Sequence, residues 1–289
     1  MPRVLITGAG SGIGRACAER LASEGWQVVA SGRREGPLHD LVATAANVIP
    51  LVMDVTDDAS VRAGIEAAGP LDAVVNNAGV SVMGAVEAVP MEAWRRQFET
   101  NLFGVARVCQ AALPTLRERR GRIVNIGSVA GRIASPFMGV YASSKHALEG
   151  MTDALRREVA AHGVPVVLVR PGFVNTPFGA QEQASLAAHA HPAYAAAQAR
   201  FARWHREEGH AASPGPEVVA EVVARALTDA RPRDRYAAPA RARRLLAMRN
   251  ALPTRLVDAM VARTIEGRAE MPGLFGSTRR ASERHPGPD

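Results

Sequence analysis

Short apolar runs that stop in glycine or polar turns alternate with stretches of helical periodicity along the first 175 residues. Arg3-Val-Leu-Ile-Thr7 runs into a glycine cluster, after which Ile13, Ala16, Cys17, Arg20 and Leu21 recur at helical spacing, so the start reads as strand, turn, helix. Trp26 to Ala30 meets Ser31-Gly-Arg-Arg34, Val48 to Met53 meets Asp54, and a helix is expected from about Asp57. Leu71 to Val75 predicts a fourth strand, stopping in Asn76-Asn77-Ala78-Gly79. A long helix is expected from Met91 to Arg119, since Trp94, Phe98, Leu102, Val105 and Val108 share one face, with Pro114 bending or loosening its last turns. Ile123 to Ile126 predicts a fifth strand, Tyr141 to Ala161 a second long helix, and Val164 to Val169 a sixth strand closed by Arg170-Pro171-Gly172. This alternation implies an α/β fold, a doubly wound parallel sheet covered on both faces through right-handed crossovers.

Beyond Gly172 the chain is rich in alanine. Residues 180 to 209 read as helical, Ser213 and Pro214 begin a helix through Ala230, and Tyr236-Ala-Ala is expected to be a short last strand. The organisation expected is one domain over residues 1–275, with a helical lid at about 175–212, a basic amphipathic extension at about 240–268 and a disordered tail at 276–289.

Composition narrows the classes. No run approaches the roughly 18 to 20 apolar residues that a membrane span requires, and the N-terminus has no secretory pattern, so a soluble cytoplasmic protein is expected. Cys17 and Cys109 have no metal or redox spacing and are expected to be free, partly buried thiols. The net charge of +7 is not spread over the fold: residues 1 to 230 carry 22 basic and 22 acidic side chains, residues 231 to 289 carry 13 and 6. No nucleic-acid partner is expected, and the excess charge bears only on what the C-terminal segment touches. There Arg241, Arg243 and Arg244 precede Leu256, Val257, Met260, Val261 and Ile265 at helical spacing. Such a helix suits docking on the body or on a second subunit, and peripheral contact with an anionic membrane is the alternative.

Tyr141-Ala-Ser-Ser-Lys145 places a phenol and an ammonium on one helix face. A tyrosine serves as a base near neutrality only if its phenolate is favoured by about 4 kcal/mol, and a nearby lysine acts in that direction. Of 35 basic residues only Lys145 is a lysine. Taken alone, the pair could equally be a solvated helix face. Thr7-Gly8-Ala9-Gly10-Ser11-Gly12-Ile13-Gly14 lies between a strand and a helix, where backbone amides and the positive end of a helix dipole suit a phosphate. It fits T-G-x-x-x-G-x-G rather than G-x-G-x-x-G, because Ile13 stands where a glycine would be needed.

Thr7 to Gly14, Asn76 to Gly79, Asn101, Ser128, Tyr141 to Lys145 and Pro171-Gly172 occur in the order and approximate spacing seen in classical short-chain dehydrogenases/reductases. The resemblance covers about residues 3 to 178 and, through Ser31 to Arg34, Asn101 to Gly104 and Tyr141 to Leu148, extends to the hydroxysteroid and retinol dehydrogenase-like branch. It implies a Rossmann fold and a hydride exchanged between a nicotinamide cofactor and an alcohol or carbonyl. It also implies roles: Tyr141 exchanges the hydroxyl proton, Ser128 hydrogen-bonds the carbonyl oxygen, Lys145 lowers the tyrosine pKa and holds the nicotinamide ribose, and Asn101 supports a proton relay. The cofactor would lie on Gly8, Gly10, Ser11, Gly12, Ile13, Gly14, Asp54, Val55, Asn77, Ala78, Gly79, Pro171, Gly172, Val174 and Thr176.

Gly32 followed by Arg33 and Arg34 at the end of the second strand, where a carboxylate would select NAD(H), favours NADP(H), with NAD(H) left open by Glu35. Val80, Val82, Met83, Phe137, Met138, Phe173, Val174 and Phe178 follow strand ends and suit a lipophilic alcohol or ketone, although half could be core. A carbonyl reductase of a polar or acyl substrate, or a silent cofactor-binding regulator, are the rival readings. His189, His191, His205 and His210 are expected to be solvated, with no metal. The resemblance further implies a homodimer or homotetramer built on the helices at 91 to 119 and 141 to 161.

Overall fold

In the computed structural model, which describes residues 1–266 apart from 44 and 46, the apolar runs become seven strands. They are β1 (Arg3–Thr7), β2 (Gln27–Gly32), β3 (Val48–Val52), β4 (Ala73–Asn76), β5 (Arg122–Ile126), β6 (Val166–Pro171) and β7 (Arg235–Ala238). All pairs are parallel, in the order β3-β2-β1-β4-β5-β6-β7. Central strands are buried on both faces, as parallel sheets require, which is why they read as continuous apolar runs rather than alternating ones. Pro50 is accommodated because β3 is an edge strand.

The helices are α1 (Gly12–Ser23), α2 (Glu35–Val42), α3 (Asp58–Ala68), α4 (Met91–Phe98), α5 (Gly104–Arg119), α6 (Gly139–Glu158), α7 (Phe178–Ala188), α8 (Ala195–Trp204), α9 (Glu217–Thr228), α10 (Ala240–Ala251) and α11 (Thr254–Glu266). One cluster packs α1 and α9 against one face through Cys17, Leu21, Val223 and Leu227; a second packs α3, α5 and α6 against the other through Ile65, Val108, Leu116 and Leu148. Both cysteines are free and fully buried, more deeply than expected, and burial pushes each thiol up to about 12.

Two expectations change, and one helix is added to those expected. The helix expected over 91 to 119 is interrupted by a π turn, Glu99–Phe103, while Pro114 does not end it: Pro114 and Gln110 lie on the exposed face, where water can satisfy the carbonyl left without a donor. Helix α2, hidden behind Gly36-Pro37, starts with that proline in its first turn, where the missing N–H is harmless. The C-terminal extension is two helices parted at Pro253, not one. It docks on the body, α10 against β7 and α11 against α8, burying Ala242, Leu245, Leu246 and Val257. The tail expected at 276–289 lies outside the described residues. Among those described, no helix is long and apolar enough to cross a membrane.

Candidate active site

The strand order reverses between β1 and β4, and a crevice opens there beyond the strand ends. Thr7 Oγ1 accepts hydrogen bonds from the backbone N–H groups of Asn77 and Ala78, both 3.0 Å, while Asn77 Nδ2 donates to the carbonyls of Thr7 at 3.0 Å and Gly8 at 3.1 Å. These bonds pin the glycine turn against the loop after β4. Gly8 has φ of +67°, and a Cβ there would lie 2.9 Å from Ala78 Cα, so only glycine fits. Gly14 sits within α1, where a Cβ would come 2.3 Å from the Gly8 carbonyl oxygen; it packs the helix onto the turn rather than facing the crevice.

The crevice is a cavity of about 570 Å³. Its wall includes Gly8, Gly10, Ser11, Gly12 and Ile13, then Arg33 and Arg34, then Asn77, Ala78 and Gly79. Pro171, Gly172, Val174 and Thr176 line the end beyond β6, and Asn101, Ser128, Tyr141 and Lys145 share the wall. Of the expected site residues, Asp54, Val55 and Gly14 are not on it. Asp54 accepts from Thr56 N and Oγ1, which is an Asx turn, and Val55 is buried against Gly104.

Tyr141 and Lys145 stand one turn apart on α6 and are both buried. The Tyr141 phenol hydrogen-bonds Ser128, whose Oγ also accepts from Ala130 N at 3.0 Å. Lys145 Nζ donates to the Ile126 carbonyl at 2.7 Å and lies 5.9 Å from the Tyr141 ring centroid. Burial, followed by the Glu182 charge, raises the phenol above its ordinary value, against the lowering effect of Ser128. The expected downward pull of Lys145 is therefore not what dominates the phenol among the chain's own groups; the ammonium is engaged by Ile126. Asn101 sits in the π turn with its side chain clamped to Val80, accepting from N at 2.8 Å and donating to O at 2.9 Å. A contribution to a proton path would come from its backbone, where the π geometry departs from the regular ladder.

Burial lowers Lys145 to about 8. Below pH 8 both folded and unfolded chains keep this proton, and the cost of the buried charge is fully present. Between about pH 8 and 10 the unfolded chain, with an ordinary lysine value near 10.4, binds more protons, so native stability rises. Lys145→Met is expected to raise the melting temperature at pH 7 while abolishing turnover, and its stability advantage should shrink as pH rises from 8 to 10. Thermal unfolding across that range checks both signs.

A family model described as short chain dehydrogenase matches residues 2–187. The chain belongs to the short-chain dehydrogenase family. Among curated relatives, the 3-ketodihydrosphingosine reductase of Bacteroides thetaiotaomicron is 41% identical over 180 residues, 61% of this chain and 65% of that protein, so the match spans just under two thirds of the relative's length. A solved short chain dehydrogenase/reductase from Burkholderia phymatum in complex with NAD superposes with a TM-score of 0.75 at 30% identity, covering 90% of this chain and 95% of the other. A short chain dehydrogenase from Burkholderia cenocepacia in complex with NADP gives 0.72 at 26% identity, covering 90% and 97%.

In this short-chain dehydrogenase four of the eight apolar candidates line the cavity and three are core alone. Met138, Phe173, Val174 and Phe178 line the cavity. Val82, Met83 and Phe137 are core, and Val80 is held by Asn101. Phe178 packs on Tyr141 with ring centroids 6.2 Å apart. The sequence reading missed Glu182 and its meeting with His205 and His210. Glu182 is buried on the cavity wall, His205 is fully buried and His210 half-buried, so these two histidines are not solvated as expected. The overlooked signal was that Glu182 is the one charged residue between Arg170 and Arg200. Burial draws His205 down to about 4; at His210 burial also acts downward, but the Glu182 hydrogen bond and charge prevail and raise it.

Proposed function

We propose that the chain is a nicotinamide-dependent oxidoreductase acting on a lipophilic alcohol or ketone, with Ser128, Tyr141 and Lys145 as its catalytic residues and Asn101 as a positioning residue. One observation carries this reading: a serine hydroxyl, a phenol and a buried ammonium converge on the wall of a cavity that continues to the glycine turn. The turn fits a pyrophosphate. Gly8 and Gly12 hold positive φ, α1 presents its unpaired first amides, and Gly10 leaves the backbone bare. Bound there, the nicotinamide supplies or receives the hydride. The chain's own groups do the rest: Ser128 and Tyr141 donate hydrogen bonds to the oxygen on which charge develops, Tyr141 transfers the proton, and Lys145 stabilises the phenolate left behind.

NADP(H) is the preferred cofactor in this reading. Arg33 and Arg34 border the cavity, and neither is paired with a carboxylate among the described residues. A lipophilic substrate is supported by the apolar wall of Ile133, Met138, Phe173, Phe178 and Leu245, and by the named substrate of the Bacteroides relative. A homodimer or homotetramer through α4, α5 and α6 is part of the proposal; exposed Val86, Met91 and Phe103 near these helices support it. Following NADPH and NADH oxidation with a panel of long-chain, steroidal and small polar ketones tests the function. Turnover greatest for long-chain or steroidal ketones is expected; cofactor binding without turnover of any ketone would leave a silent binding protein instead.

A further inference from the structure

We propose that Glu182, His205 and His210 form a binding site for a zinc-class divalent cation in the lid, with its open coordination position facing the catalytic cavity. Glu182 comes from α7, and the two histidines come from a π turn, His205–Ala211, that follows α8. A π turn bonds each residue to the one five positions on, which brings His205 and His210 to neighbouring places, and the two rings lie 4.8 Å centroid to centroid. Glu182 Oε2 is 2.8 Å from His210 Nε2 and 3.4 Å from His205 Nε2, and one ligand atom from each residue lies within 4.8 Å of the others. Ligands at the roughly 2.0 to 2.2 Å zinc distance sit up to about 4 Å apart, so only small ring rotations separate this arrangement from coordination.

A second observation is independent of that clustering. His205 Nε2 is sealed from solvent, points at Glu182 and has no hydrogen-bond partner. Burying a polar nitrogen without a partner is costly, and a cation at this point would satisfy it. Each ligand is also oriented by an outer contact. His210 Nδ1 meets the Val174 carbonyl at 3.0 Å and Glu182 Oε1 accepts from Ser81 Oγ at 3.1 Å; the Gln183 side-chain amide lies 3.1 Å from His205 Nδ1 and would turn its oxygen to accept from that nitrogen when Nε2 binds the cation. Such contacts fix ring and carboxylate orientation in metal sites. Two imidazoles and one carboxylate suit zinc, and three protein ligands leave a fourth position. Glu182 and His210 line the cavity that holds Tyr141, so that position opens toward the reacting oxygen's place. The cation would also tie α7 to the segment after α8, holding the lid closed.

The test needs no turnover, so its failure is distinct from failure of the oxidoreductase reading. The full chain, purified without a polyhistidine tag and stripped with a chelator, is titrated with zinc chloride against a chromophoric competitor. One equivalent should bind per chain, with affinity lowered at least ~100-fold by Glu182→Gln or His210→Gln, the upper range for loss of mere outer partners, and unchanged by His191→Gln. Should the first two variants not fold, wild-type protein labelled with ¹⁵N-histidine decides: of eight histidines, His205 and His210 should shift with zinc, assigned by substituting the others. No binding tighter than ~0.1 mM, binding that survives both substitutions, or shifts confined to other histidines would overturn the proposal.

Discussion

Tyr141→Phe is expected to lower kcat by about 10³ to 10⁴-fold while leaving cofactor affinity within a few-fold. The substitution removes one oxygen from a ring that stays packed against Phe178, so the buried wall keeps its shape. What is lost is the proton donor and one of two hydrogen bonds to the developing oxygen charge, the other being from Ser128. The glycine turn, Asn77 and the arginines at the far end are untouched, so cofactor binding followed by fluorescence should hardly change. Loss of kcat with equal loss of cofactor affinity would mean that the ring is structural. A variant that keeps wild-type turnover would remove Tyr141 from the chemistry.

Replacing Arg33 and Arg34 together by alanine should weaken NADPH by about 10² to 10³-fold and NADH by less than ~5-fold. Each guanidinium offers charge-assisted bonds worth about 1.5 to 3 kcal/mol to a 2'-phosphate, and a 2'-hydroxyl gives it far less to hold. Both side chains border the cavity beyond β2, on the loop that leads into α2. Dissociation constants for the two cofactors, measured for the parent and the double variant, give the result. Equal losses would make the arginines a general electrostatic surface and withdraw the cofactor preference.

Much of this architecture is readable from residues because each apolar run buries both faces of a strand and each ends where a turn must form. Gly8 and Asn77 belong to one crevice on sequence grounds, since strand ends of a doubly wound sheet meet at the order reversal. The π turn at Asn101 was not legible. Trp94 and Val108 keep their helical face on either side of it, and one widened turn alters periodicity too little to register. Glu182 drew no reading, and His205 and His210 were expected to be solvated, because they lie 23 and 28 positions from it along the chain and only the packing of α7 on the segment after α8 joins them. Asp54 and Val55 were assigned by resemblance, and they lie off the cavity wall, Asp54 in an Asx turn with Thr56 and Val55 packed in the core. The two docked helices at the C-terminus resolve where the basic extension goes, since Leu245 reaches the cavity wall from α10.

The most direct measurement is the fate of deuterium carried at both hydrogen positions of the reactive carbon of NADPH when the protein turns over a lipophilic ketone. Mass spectrometry of the alcohol should find the label on the carbinol carbon with wild-type protein and only traces of labelled product with Tyr141→Phe. Product formed without label, or formed as fast by the phenylalanine variant, would contradict the convergence of Ser128, Tyr141 and Lys145 on one reacting carbonyl.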